Sequence, residues 1–268
     1  MKNWFALLCA LPLVAVAAPE RIVALGGDVT EIVYALGAES SLVARDSTSQ
    51  WPQATNALPD VGYLRQLNAE GILSVRPTLV LASDQAQPSL ALKQVEQSHV
   101  RVVTVPGTPD LRAIDEKVRV IAQATHHEAQ GETLRSSLRQ SLAALPSTPL
   151  NKRVLFILSH GGMTAMAAGQ DRRGCGNTRR RAAERHAGLY RYQPLSQEGV
   201  MASRLDLVVI SQDGLNALGG EQNLWKLPGL AQTPAGRSKQ VLDDMALLGF
   251  VRTPKAIQQL RARAEQLP

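Results

Sequence analysis

The chain has 268 residues, 44% hydrophobic and 19% charged, which excludes a mini-protein and a disordered chain. Lysine and arginine number 29 against 23 acidic residues, and the resulting +6 raises nucleic acid or an acidic membrane as partners. Two cysteines, Cys9 and Cys175, exclude a disulfide framework and a cysteine-based zinc site.

The first residues read as an export signal. Lys2 is followed by an apolar run over residues 4–16, broken only by Pro12, and then by Ala15-Val16-Ala17. That pattern predicts a signal peptide over residues 1–17, cut after Ala17. The run falls short of the roughly 20 residues needed to span a bilayer. A soluble exported protein follows, most simply periplasmic. Export would remove Cys9 and leave Cys175 as the single thiol.

Residues 21–25 predict a short buried strand, followed by Gly26-Gly27-Asp28. Asp28 or Thr30 is placed to cap a helix from Glu31 to Leu36, which Gly37 stops. Strands are predicted over 42–44, 79–82 and 100–105, and a helix over 89–97. From Pro109 to Leu145 the texture is helical, with Leu111, Ile114, Val118, Ile121, Leu134, Leu138 and Leu142 at helical spacing. Strands then restart at 153–158 and recur at 208–210 and 240–242, and residues 257–267 close the chain as a helix. Strand–helix alternation implies mainly parallel sheets. The fold class is α/β: two Rossmann-like lobes joined by a long linker helix, with a ligand cleft between them. The expected divisions are an N-terminal lobe over 18–124, a linker over 125–149 and a C-terminal lobe over 150–268.

An internal repeat supports two equivalent lobes. Residues 70–83 align with 198–211 at a constant offset of 128, with 6 of 14 positions identical. Each copy reads as a short helix opened by a glutamate, Glu70 or Glu198, running into a strand. A glutamate there is favoured by the helix dipole by about 0.3–1 kcal/mol. The pair also reads as two equivalent exposed carboxylates suited to a two-fold partner.

With these elements placed, the chain resembles the periplasmic substrate-binding proteins with a rigid helical linker, which serve importers of haem, ferric siderophores and cobalamin. The resemblance is carried by residues 22–31 and 34–37, by both glutamate repeats and by residues 224–230. It is most specific to the haem-binding branch, through residues 61–74, which contain Gly62-Tyr63-Leu64-Arg65, and through Ser159-His160-Gly161-Gly162-Met163. The resemblance implies that Tyr63 ligates haem iron and that Glu70 and Glu198 dock on arginines of an ABC permease. It implies haem as transported ligand, an outer-membrane haem receptor upstream, a monomer, and neither enzymatic activity nor nucleic-acid binding.

The chemistry of the residues is compatible with that expectation. Oxidised haem iron is a hard Lewis acid and phenolate a hard donor. Arg65, two residues on, can supply a cation and a hydrogen bond. His160 is expected at the carboxyl end of a strand, where open α/β sheets bind ligands. It is read either as a second iron ligand or as a strand-end histidine satisfied by hydrogen bonds. Gly161 and Gly162 would let a flat macrocycle approach the backbone. A siderophore or cobalamin binder of the same fold is the alternative, and a metal chelatase-like enzyme stands behind it. The sequence carries no P-loop, nucleophile elbow or His-Glu-x-x-His motif.

Residues 171–191 do not fit the series. They hold seven arginines and two acids where a βα unit calls for an apolar-faced helix. They carry five of the six net positive charges, and Lys2 carries the sixth, so the rest of the chain is formally neutral. A basic surface loop is one reading. The other is a shifted reading frame: one back-translation with its first base dropped encodes an alanine-rich helix with an apolar face. Aligned genomic DNA should then show a compensating insertion and deletion flanking this stretch, and an intact frame would exclude it.

Overall fold

The computed structural model describes residues 19–107, 111–148, 152–159, 166–169, 193–194, 196–243 and 251–267. The predicted signal peptide, residues 171–191 and Cys175 lie outside them.

The N-terminal lobe is built from β1 (Ile22–Leu25), α1 (Gly27–Ala35), β2 (Leu42–Arg45), α2 (Ala69–Ser74), β3 (Leu79–Ser83), α3 (Ser89–Gln97) and β4 (Arg101–Val105). Its strands run parallel in the order β2-β1-β3-β4. Strand side chains alternate between faces, so each strand feeds two cores. Ile22, Ala24, Leu79 and Leu81 pack under Val29, Ile32 and Val33 of α1. Val23, Leu25, Val80 and Ala82 pack under Ile72 of α2 and Ala91 and Val95 of α3. Burial on both faces explains why these strands read as continuous apolar runs.

The helical stretch after β4 is two helices, α4 (Leu111–Ala124) and α5 (Glu128–Ala143), rather than one. They pack closely together. His126 turns the chain between them at a φ of 59°. Asp115 on α4 pairs with both Arg135 and Arg139 on α5, and a Cβ at Gly131 would meet Ala122, so the two helices run antiparallel. Ile114, Val118 and Ile121 of α4 complete the first core.

The C-terminal lobe contains β5 (Val154–Leu158), β6 (Met166–Gly169), β7 (Gln193–Pro194), α6 (Gln197–Ser203), β8 (Leu207–Ile210), α7 (Gln212–Ala217), α8 (Glu221–Leu224), α9 (Pro234–Arg237), β9 (Val241–Asp243) and α10 (Thr253–Glu265). Its sheet order is β7-β6-β5-β8-β9. The strands β5, β8 and β9 are parallel, whereas β6 and β7 pair antiparallel. The antiparallel edge departs from the parallel series expected from strand–helix alternation, because the stretch between Leu158 and Met166 is shorter than the dozen or so residues a parallel crossover needs. Among the described residues, no helix is long and apolar enough to cross a membrane.

The sequence repeat is a structural repeat. Asn68 and Ser196 cap their helices through side-chain acceptors at 2.8 and 3.2 Å. Arg76 and Arg204 both sit left-handed at φ 49° where the helix turns into the strand. The backbone N–H of Thr78 and of Leu79 donates to the Arg21 carbonyl, and that of Asp206 and of Leu207 donates to the Arg153 carbonyl. The returning bond goes from Arg21 N to the Thr78 hydroxyl at 2.9 Å, and from Arg153 N to the Asp206 carboxylate at 2.7 Å. Each strand pair is thus registered by the same local clasp.

In the second copy the clasp is charged. Arg153 adds two guanidinium bonds to Asp206, at 3.1 and 3.0 Å. Burial pushes the Asp206 carboxyl up, but the Arg153 bonds outweigh it and the group titrates below its ordinary 3.8. A depressed carboxylate contributes stability that is present above its unfolded pKa and lost as pH falls through the folded value. Asp206→Asn should therefore cost about 1–3 kcal/mol at neutral pH, and should flatten the acid limb of the stability profile below a pH of about 4. Urea unfolding across a pH series measures both.

Candidate functional site

The loops leaving the carboxyl ends of the N-terminal strands meet along one edge of the sheet. Gly26, after β1, donates its N–H to the Asp46 carboxylate at 2.9 Å. Asp46, after β2, is fully buried and also accepts from Ser49 Oγ at 2.6 Å and from Thr48 N and Oγ1 at 2.9 and 2.5 Å. A buried carboxylate with four donors is satisfied and acts as an anchor. Thr30 bonds Ser49 at 2.7 Å, extending the anchor into α1. Neither Asp28 nor Thr30 caps that helix: Gly26 holds the cap position at φ 127°, and Asp28 instead pairs with the fully buried Lys117 of α4 at 2.5 Å.

Past this anchor the chain makes an excursion and returns beside β2. Arg45 and Asp60 form a parallel bridge, reinforced by an ion pair at 2.6 Å. Asp60 also accepts from Ser47 Oγ and from the Gly62 N–H. Gly62 takes a φ of 106°, a conformation that other residues adopt only under strain, and so aims the next residue outward.

That next residue is Tyr63. It is half-buried and packs on the second core, while Leu64 and Leu67 insert beside it as pegs. Two backbone bonds tie this segment to the loop after β3: Gln87 N donates to Leu64 O, and Leu67 N to Gln87 O, both at 2.8 Å. The segment therefore lies across the strand ends on a fixed base. The exposed Arg65 swings back, and its guanidinium donates to the Tyr63 hydroxyl at 3.0 Å. The pair is a phenol oxygen with a cation already in hydrogen-bond contact.

Glu70 follows at once, exposed in the first turn of α2, and Glu198 is exposed in the first turn of α6. Tyr63, Arg65 and Glu70 thus come from one continuous segment, and Glu198 from its counterpart in the other lobe. His160, Gly161 and Gly162 lie outside the described residues. Among those that are described, no group of three or more His, Cys, Asp or Glu side chains is placed to hold a metal ion.

One cluster was not legible from motifs. Glu31 on α1 is nearly buried and pairs with Arg252 at 2.8 Å, and the Arg252 guanidinium lies 4.6 Å from the centre of the Trp51 ring. Only the scarcity of aromatics, 4% of the chain, could have drawn attention to Trp51.

Comparison with known proteins covers most of the chain. A family model described as periplasmic binding protein matches residues 22–246. The periplasmic heme-binding protein RhuT from Roseiflexus sp. RS-1, solved in apo form, superposes with a TM-score of 0.78 at 35% identity, covering 92% of this chain and 98% of that one. A periplasmic heme binding protein from Pseudomonas aeruginosa superposes at 0.74 with 34% identity, covering 94% and 95%. A vitamin B12-binding protein of Pectobacterium carotovorum subsp. carotovorum is 28% identical over 145 residues, 53% of this chain and 50% of that protein. The chain spans about half the length of the curated relatives it matches.

Proposed function

Because the chain belongs to the periplasmic binding protein family, we propose that it captures ferric haem in the periplasm and delivers it to an inner-membrane ABC permease. In this reading it is exported by a signal peptide cut after Ala17. Tyr63 is the principal iron ligand, with its phenolate oxygen bound to the metal. Arg65 holds that oxygen and offsets its charge. His160 is the candidate ligand from the second lobe, with Gly161 and Gly162 giving the macrocycle room. Glu70 and Glu198 present the loaded protein to cationic residues of the permease.

The observation that carries the reading is the 3.0 Å bond from Arg65 to the Tyr63 hydroxyl on a braced loop. The bond holds a hard oxygen donor and a cation together on one loop. Likeness to two heme-binding proteins over more than nine-tenths of the chain supports haem over a corrinoid. The second reading, cobalamin, draws on the names of the half-length relatives.

Titration of the purified protein with haemin separates the two. A haem site should give a shifted Soret band and a saturating stoichiometry, and cyanocobalamin should not compete. Tyr63→Phe should abolish the phenolate charge-transfer absorption. Arg65→Ala should keep it but weaken binding by roughly 10–100-fold, the usual cost of removing a group that orients a metal ligand. Reversing the charge of Glu70 and Glu198 together should leave haemin binding intact. It should remove stimulation of the cognate transporter's ATPase in proteoliposomes.

A further inference from the structure

We propose that Glu31 and Arg252 form a latch between the two lobes, with Trp51 as its cover, and that this latch sets the angle of the cleft before any ligand arrives. Arg252 immediately precedes α10, and α10 moves with the C-terminal lobe. Leu260 and Leu267 in that region pack on Val154, Leu207 and Val209 of the C-terminal sheet. Lys152 Nζ donates to the Leu267 carbonyl at 3.0 Å. Glu31 lies on α1, whose neighbours Val29, Ile32 and Val33 are fully buried in the first N-terminal core. A bond between these residues is therefore a bond between lobes, across 221 positions of sequence.

The bond is doubled and shielded. The Arg252 backbone N–H donates to Glu31 Oε1 at 2.9 Å, and its guanidinium Nε donates to Oε2 at 2.8 Å. Val251, one residue earlier, packs against the N-terminal core. Trp51 stands over the guanidinium with half of its own surface open to solvent. The ring covers the cation and adds a cation–π contact. Only 4% of Glu31 is exposed, so the doubled bond is shielded from water on the carboxylate side and is less screened than a surface ion pair. Burial pushes the Glu31 carboxyl above its ordinary value and Arg252 pulls against that push. Among the described residues the α4–α5 hairpin gives the lobes a further connection, since α5 also touches α10. An attachment at a second point restricts the rotation that a single one would leave.

The test reads interlobe distance in the full chain without ligand, so it stands whichever molecule the cleft takes. With Cys9→Ser and Cys175→Ser as background, spin labels at Lys93→Cys on α3 and Gln222→Cys on α8 report one position in each lobe. Pulsed electron resonance should give one narrow distance distribution in the parent. Arg252→Ala and Glu31→Gln should each broaden or shift it, and combining them should add little to either alone. Arg252→Lys, which keeps the charge without the fork, should fall between. Circular dichroism shows whether each variant folds, and Glu31→Gln keeps the side-chain shape in case Arg252→Ala does not. Distributions superimposable on the parent in folded Arg252→Ala or Glu31→Gln protein would overturn the latch.

Discussion

A parallel sheet buried on both faces leaves no room for polar side chains except at its edges and ends. In the N-terminal lobe that constraint governs almost everything. Ile22, Val23, Ala24 and Leu25 are all fully buried, as are Leu79, Val80, Leu81 and Ala82. Chemistry is therefore displaced to where the strands stop. Asp46 collects four donors there, and on that anchored edge the Tyr63 loop is laid down and pinned. The base of that loop belongs to the core, through Leu64 and Leu67.

The two lobes share one device and use it differently. The helix cap, the left-handed arginine and the carbonyl clasp recur in both copies. Yet the partner of the N-terminal clasp is a threonine hydroxyl, and that of the C-terminal clasp is a carboxylate with a guanidinium added. The C-terminal sheet also takes antiparallel strands at one edge, where the N-terminal sheet stays parallel. Equivalent helices with exposed glutamates in their first turns are thus carried on frames that differ in detail.

Much of this was legible in the sequence, for physical reasons. Two-sided burial makes strands into apolar runs, so β1, β3 and β8 stood out. A repeat with identical spacing announced its own fold, and the Ser89–Gln97 helix followed from its punctuation. The Tyr63–Arg65 contact was an expectation from adjacency, and it stands as a hydrogen bond. The cap of α1 was misread, since Asp28 and Thr30 have suitable side chains but are taken by Lys117 and Ser49, partners far away in sequence. The turn at His126 has no glycine or proline to mark it, and helical periodicity continues on both sides of it. The pairing of Glu31 with Arg252 has no local signature at all: two charges some 220 residues apart give no pattern until the chain is folded.

The placement of the cores has a consequence for how the chain is made. The two N-terminal cores draw on residues 22–138, apart from Val251 at their margin, and the two C-terminal cores on residues 154–267. Each lobe is thus assembled from one contiguous stretch, so during synthesis the first can complete its burial before the second has left the ribosome. A lesion confined to the later half would then leave an early folding unit intact. The product would be a half-native molecule with an ordered tyrosine loop and no opposing wall, one that a cell's proteases would trim from the C-terminal side inward.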